Sequence, residues 1–520
     1  MNLTPLLENG WLNAILPELV LSIGGIVLIL FDAFAPKLRG ATAPLAVIVF
    51  LTAGWSERLL VGGNFFGGTY QISGITAIFD YTFLLAAVLT TLLARAYLAR
   101  EGFERGEFYA LLMWGTVGMM MMAKGLDLLI VILGLELLSI CIFILAGFHR
   151  RIAISNEASL KYFLMGAFAT GFVLYGTALF YGATGSTSLA VFSRYFATAD
   201  PRNPLLTIAF ILLMSGLGFK LAVAPFHGWA PDVYQGAPSP VAGWLSVAPK
   251  AATLIALIRI FASMTPVIQQ ASWLKMVAAL SILSMIIGNA VAIAQRDLKR
   301  MLAYSGIAHV GYMLIALISL RDESVAAISV YVITYALMNI GAFGVVSMLA
   351  KNQNDPQTLD DIAGLGFRRP FYGLALTIFM FSLSGLPPTA GFIAKFYIFK
   401  TAVDTGHLTI AFIGILTSIV SVYYYLRVVY FLYMKEGVSG VGSGESDTTA
   451  HIHGSAASAH GSADSSISHS PLPTPHSPLL DTDIFGTGAL LISLIGIFAI
   501  GLFPTPLFNA AGAAARALLP

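Results

Sequence analysis

The chain is 520 residues long, 57% hydrophobic and only 10% charged, with a net charge of +2 and a mean hydropathy of +0.83. Soluble domains carry about 25% charged residues, so this is a polytopic membrane protein, and no basic cluster is present to hold nucleic acid. Cys141 is the only cysteine, which excludes internal disulfides, CxxC metal sites and Cys-ligated iron–sulfur clusters.

No G-x-G-x-x-G or Walker-type loop occurs either, so redox or nucleotide cofactors would have to sit on other subunits. Apolar runs of about 20 residues, each able to cross roughly 30 Å of hydrocarbon, recur from end to end. In chain order they predict fourteen spans: 12–34, 41–60, 76–98, 107–123, 127–147, 157–182, 205–226, 240–263, 272–294, 299–319, 324–350, 370–403, 408–434 and 484–508. They are numbered 1 to 14 below. The first 35 residues do not resemble a cleavable signal, because Glu8 and Glu18 precede the apolar core and no basic n-region is present.

Loops of one parity carry most of the Lys and Arg, including Lys37, Arg39, Arg150, Arg151, Arg368 and Arg369. The opposite parity has fewer, Arg58, Lys124 and Lys275 among them. By the positive-inside rule both termini face away from the cytoplasm or stroma. Residues 436–480 are rich in Ser, Gly, Ala, Thr and His and lack hydrophobic periodicity, as expected of a flexible linker. The irregular spacing of His451, His453, His460, His469 and His476 argues against a metal site.

A weak internal repeat runs through the middle of the chain. Asp127-Leu128 is echoed by Asp297-Leu298, Gly166-Ala167-Phe168 by Gly341-Ala342-Phe343, and Ser215-Gly216-Leu217 by Ser384-Gly385-Leu386. The order is kept and each offset is close to 170 residues. Five spans separate the members of each pair, so the two units have opposite orientation. Prolines interrupt both span 7, at Pro225, and span 12, at Pro387-Pro388. Discontinuous helices at matching positions of inverted repeats point to a transport site.

Four charges fall inside apolar runs: Glu136 in span 5, Lys220 in span 7, Lys250 directly after Pro249 in span 8, and Lys395 after the double proline of span 12. Placing a charge at the centre of a membrane helix costs roughly 2.5–3.5 kcal/mol on insertion scales, which makes each a functional-site hypothesis. Snorkelling from a helix end suits Lys161 and Lys400 better. Desolvation makes a buried lysine a group that can gain and lose a proton near neutrality. If Glu136 lies about 7 Å from Lys220, one charge shifts the other by roughly 2.4 kcal/mol at an effective dielectric near 20, enough to gate a proton. His309 in span 10 is a further relay candidate, with a buried histidine satisfied by a carbonyl as the alternative, and His227 beyond the break of span 7 is a relay candidate with a gate or a cap as the alternative. Arg259 and Arg427 suit pairing at helix ends, and Met119–Met122 suits packing.

Three runs, SGLGFKLAVAPFHGWAPDVYQGAPSPVAGWLSVAPK, DLKRMLAYSGIAHVGYM and SGLPPTAGFIAKF, resemble the antiporter-like subunits of respiratory complex I. The length and the absence of a long lateral helix resemble the subunit 2, NuoN/NdhB type. The texture of GWLNAILPELVLSIGGIVLILFDAF is similar to the cyanobacterial and chloroplast NdhB branch. The resemblance implies an all-α fold of about fourteen transmembrane helices with two inverted five-helix repeats, each holding a broken helix. The corresponding division is an N-terminal three-helix segment (1–106), a first unit (107–265), a second unit (266–435), the linker (436–480) and a C-terminal helix (481–520).

It further implies that Glu136 and Lys220 sense quinone reduction elsewhere in the complex, and that protons pass by way of Lys250 to Lys395. No cofactor is expected in this chain. Quinone, iron–sulfur clusters and the electron donor are expected on partner subunits, with other membrane-arm subunits and lipid as neighbours. The expected membrane is a cyanobacterial thylakoid, with plastoquinone as acceptor, or otherwise a bacterial inner membrane. Two other readings use the same helices: a subunit of an Mrp-type cation/proton antiporter, and a structural anchor of a hydrogenase complex.

Overall fold

The computed structural model describes residues 11–200, 202–265, 273–350, 358–435 and 483–516. The predicted 436–480 linker and its histidines lie outside these residues. Among them, twelve helices are long and apolar enough to cross a membrane. Two more of the predicted spans complete the set: span 4, Gly106–Lys124, and span 12, divided into Pro370–Ser384 and Ala390–Asp404. The molecule is therefore almost wholly helical, as expected. One departure is a two-stranded antiparallel hairpin, Gly63–Phe65 with Tyr70–Ile72, in the loop between spans 2 and 3.

Boundaries differ where backbone chemistry overrides hydropathy. Span 7 is helical only over Pro204–Leu221, and the chain breaks at Ala222, which adopts a left-handed conformation (φ 58°). Its amide reaches back to the Gly218 and Phe219 carbonyls, satisfying two orphan acceptors of the helix end. The break thus precedes Pro225, and the chain resumes as the half-helix Ala230–Gly236. Span 12 ends its first half in the same way, at Gly385 (φ 86°). Span 8, by contrast, is one continuous helix, Ser239–Ser263, that carries Pro249 inside it. Pro249 does not break the helix beside Lys250, which is closely packed on all sides across the proline. Span 14 stops at Leu502, and Pro504 opens a separate helix, Pro504–Ala515. Proline is favoured at a helix start because its missing amide would have no partner there.

The repeat is visible in hydrogen bonding. Asp127 caps Leu128–Ala146 by accepting from the Leu129 amide, and Asp297 caps Leu298–Ser319 by accepting from the Arg300 amide. Each also forms an isolated antiparallel bridge to a residue 61 positions later, Ser188 and Thr358 respectively. The two caps lie on opposite faces. Asp127 sits where span 5 begins, whereas Asp297 accepts from Gln235 of the half-helix, whose Asp232 meets Lys161 near the start of span 6. Within each unit the first two helices cross closely at glycine. A Cβ on Gly118 would meet the Gly134 carbonyl at 2.5 Å, and one on Gly288 would meet the Ala308 amide at 2.6 Å.

Spans 8, 10 and 11 form the buried centre, while spans 1, 2, 6, 13 and 14 expose most of their apolar side chains. Exposed leucines and phenylalanines on that perimeter face lipid, which is as apolar as they are. Charged groups are thereby held away from hydrocarbon, as membrane helices require.

Candidate proton pathway

Lys220, Lys250 and Lys395 are all buried, at 4%, 2% and 5% exposure, so none snorkels to a surface. Each ammonium is held by neutral oxygen atoms. Lys220 Nζ donates to Ser139 Oγ at 2.8 Å, and Lys250 Nζ to the Gly306 carbonyl at 3.1 Å. Lys395 Nζ donates to the Ser384 carbonyl at 2.8 Å and to Ser418 Oγ at 3.0 Å. An ammonium without a carboxylate partner gives up a proton more readily than a paired one. Aromatic faces complete each pocket: Phe143, Tyr162 and Phe219 around Lys220, Tyr234 and Tyr335 around Lys250, Tyr312 beside Lys395.

Glu136 is near Lys220 but does not touch it. Its Oε1 accepts from Thr170 Oγ1 at 2.6 Å, and Ser139, one turn along the same helix, takes the lysine instead. The anticipated pair is therefore an electrostatic neighbour relation, with a hydroxyl on Glu136's own helix as the lysine's direct partner.

Tyr162, stacked on Trp229 at 4.3 Å, and Tyr234, whose ring lies 6.1 Å from Trp229, line the way from Lys220 to Lys250. His309 occupies the interval between Lys250 and Lys395. Its ring is 5.0 Å from Tyr335 and 5.8 Å from Tyr312, the rings beside those two lysines. Its Nδ1 is hydrogen-bonded to Tyr331 Oη at 2.7 Å and its Nε2 to Tyr425 Oη at 3.1 Å. Both ring nitrogens face groups that can donate or accept, the requirement for a relay. At His309 the partners are thus two tyrosine hydroxyls and not a carbonyl, whereas His227 has a backbone hydrogen bond to Pro225. His227 stands apart, within the break of span 7 and 6.3 Å from the Tyr304 ring. No hydrogen bond joins it to any of the four charged residues.

Beyond Lys395 a cleft of about 450 Å³ is lined by Phe392, Phe396, Phe399, Ser418 and the exposed Lys400–Asp404 pair. Lys161 likewise lies at a surface, paired with Glu157 and Asp232. Arg427 donates to the Ile293 and Gln295 carbonyls at a helix end, as expected. Met119, Met120 and Met122 are packed in the core.

Two sets of residues escaped the sequence reading. Tyr331, Tyr335 and Asn339 recur every four residues in span 11, a polar stripe on one helix face that spacing alone could have revealed. Asn339 donates to Tyr335 Oη at 3.1 Å and to Ser246 Oγ at 2.6 Å. The second is Lys124, which charge counting treats as a loop lysine. It is completely buried, with Glu18 at 2.8 Å, Asp80 at 2.8 Å and Glu57 at 3.2 Å from its Nζ. The visible clue was three carboxylates, each near a span end of the same parity as Lys124.

Fold and site together define a class: a membrane subunit of two inverted units, each with a broken helix, threaded by a line of buried lysines. Residues 125–421 match the family model described as NADH:quinone oxidoreductase/Mrp antiporter, transmembrane. The chain belongs to that family. It is 44% identical over 441 residues to the NADH-quinone oxidoreductase subunit N of Trichlorobacter lovleyi, covering 84% of this chain and 90% of the relative. It superposes on a chain of respiratory complex I from Thermus thermophilus with a TM-score of 0.74 at 32% identity, covering 96% of this chain and all of the other. A chain of an archaeal membrane-bound sulfane sulfur reductase shares the fold with a TM-score of 0.80 at 22% identity, over 97% of each chain.

Proposed function

We propose that this chain is the subunit-N-type proton translocator of the membrane arm of a NADH:quinone oxidoreductase, and that Glu136, Lys220, Lys250, His309 and Lys395 carry the protons. The observation that carries the assignment of residues is the series of buried lysines held by neutral oxygens, with a tyrosine ring beside each and His309 between Lys250 and Lys395. A charge arriving near Glu136 changes the cost of holding the Lys220 proton. That proton moves toward Lys250, lined on the way by Tyr162 and Tyr234. From Lys250 the Tyr335–His309–Tyr331/Tyr425 cluster hands it on toward Lys395, and the cleft beside Lys395 opens to the surface. His227 has a secondary place in this scheme, as a side group at the break of span 7.

This chain supplies no redox chemistry in the scheme. Quinone, iron–sulfur clusters and the electron donor belong to partner subunits, and the other membrane-arm subunits are its neighbours. The name of the Trichlorobacter relative supports NADH and the subunit-N type. The NdhB branch, with plastoquinone and a thylakoid membrane, is supported by the texture of residues 10–34 alone. The division into units 107–265 and 266–435 is supported by the matching Asp127 and Asp297 caps.

The test uses the intact complex in proteoliposomes. Lys220→Ala and Glu136→Ala should each lower proton transfer strongly while the complex stays assembled. Pumping near the wild-type level in both variants would remove the assigned roles. Sodium-dependent antiport without a redox partner would favour the Mrp-type reading instead.

A further inference from the structure

Lys124 stands at the centre of a second ionic assembly, outside the lysine line and built chiefly by the N-terminal helices. Five transmembrane helices converge on it. Glu18 lies near the start of span 1, Glu57 at the end of span 2, Asp80 in the first turns of span 3, and Lys124 at the end of span 4. The fifth is span 8, the helix of Lys250, whose Arg259 is 2% exposed and lies in the field of Asp80 and Tyr70. The hairpin between spans 2 and 3 covers the assembly. Tyr70 Oη donates to Glu18 Oε1 at 2.6 Å, and Gln71 Oε1 accepts from Arg259 Nη1 at 3.0 Å.

The charges do not balance. Lys124 and Arg259 bring two positive charges, while Glu18, Glu57 and Asp80 bring three negative ones, all at most 6% exposed. An uncompensated charge in such surroundings is expensive and is removed by protonation. Vacant sites for that proton are present. Asp80 Oδ1, Glu57 Oε1 and Glu18 Oε2 are buried without a hydrogen-bond partner. On the other side, Arg259 Nε and Nη2 are buried and unpartnered too, although they belong to a different element. A metal cation is a poor fit, because the Lys124 ammonium already occupies the point shared by the three carboxylates. Among the described residues no acidic or histidine group has metal-binding geometry.

We infer that the Glu18–Glu57–Asp80–Lys124 assembly is an additional proton-holding site, keeping one exchangeable proton on its carboxylates beneath the hairpin. Arg259 links it to the helix of Lys250, nine residues or about 13.5 Å along span 8. The assembly takes up a proton by forming one carboxyl O–H bond, centred on Asp80. It releases the proton by breaking that bond, with the proton passing to water at the face where spans 1 and 3 begin. Its link to Lys250 rests on the pathway proposed above, and the experiment separates the two.

The experiment begins with the wild-type complex, so it does not depend on any variant folding. Infrared difference spectra recorded across pH should contain the C=O band of a buried protonated carboxyl that shifts in D2O. The band should disappear or move in Asp80→Asn and persist in Glu136→Gln. Glu57→Gln serves as a second probe if Asp80→Asn does not assemble, and should shift the band. Absence of the band in wild type, or a band untouched by whichever of the two variants assembles, overturns the inference. The same variant in proteoliposomes should translocate fewer protons per electron with quinone reduction retained within about twofold. Full stoichiometry there, alongside loss of pumping in Lys220→Ala, overturns the second site and leaves the lysine pathway standing.

Discussion

Lys250 and Gly306 are matched to one another: the ammonium donates to the glycine's own carbonyl at 3.1 Å, and a Cβ on that glycine would lie 2.8 Å from Nζ. The same Cβ would lie 2.8 Å from Tyr335 Oη. Gly306→Ala therefore wedges apart two groups of the proposed pathway, Lys250 and Tyr335. Both are ends of flexible side chains, so the fold should tolerate the methyl. Proton transfer should fall by about tenfold or more, less than the roughly 10²–10⁴-fold a positioned proton-transfer group contributes, because the groups are displaced and not removed. Fluorescence quenching of a pH dye in proteoliposomes, set against quinone reductase activity, checks this.

Removing His309 tests the relay and its surroundings at once. His309→Phe preserves ring volume but takes the partner of Tyr331 away, while Tyr425 keeps Ser305 and Tyr424. Each buried hydroxyl left unsatisfied costs about 1–3 kcal/mol. The subunit should melt at lower temperature and pump little. The double variant with Tyr331→Phe should recover stability without recovering pumping. Thermal melting in detergent, paired with proton uptake, separates the two effects.

Ser139 is the direct partner of Lys220, so it should matter although it carries no charge. Ser139→Ala leaves the buried ammonium without its hydrogen bond at 2.8 Å, and hydrogen bonds to charged groups contribute about 1.5–3 kcal/mol. Pumping should drop, and Ser139→Thr, which keeps the hydroxyl, should restore most of it. Initial rates of proton uptake for the two variants provide the comparison.

The C-terminal helix Ile484–Leu502 packs against the break of span 12 at glycine. A Cβ on Gly501 would overlap the Pro388 carbonyl, and one on Gly391 would overlap the Ser382 carbonyl. Backbone cannot swing aside as a side chain can, so Gly391→Ala and Gly501→Ala should each destabilise by roughly 1–3 kcal/mol or more. The amount of subunit recovered in assembled complex is the readout. The Asp232–Arg300 contact at 2.6 Å is partly exposed. Asp232→Ala should therefore lower stability by only about 0.2–1 kcal/mol, and less at high salt.

Much of the fold was legible because lipid imposes one rule, that each crossing be a long apolar helix. Glu136, Lys220, Lys250 and Lys395 were legible for the converse reason, as charges where charge is costly. What hydropathy missed was decided by backbone or by distant neighbours. Ala222 breaks span 7 by adopting φ 58°, which its side chain does not announce, while Pro249 leaves span 8 intact. Lys124 reads as a loop residue because its three partners come from spans 1, 2 and 3, up to 106 positions away. Glu136 and Lys220 are electrostatic neighbours without direct contact, and no pattern in the sequence announced Ser139 as the lysine's partner.

The most direct measurement is the number of protons translocated per two electrons by the assembled complex carrying Lys250→Met. Methionine keeps the length and apolar stem of the lysine but cannot carry a proton. With quinone reduction still running, the account predicts a ratio clearly below wild type. A wild-type ratio in the assembled variant would contradict the claim that protons cross this subunit through its central lysine.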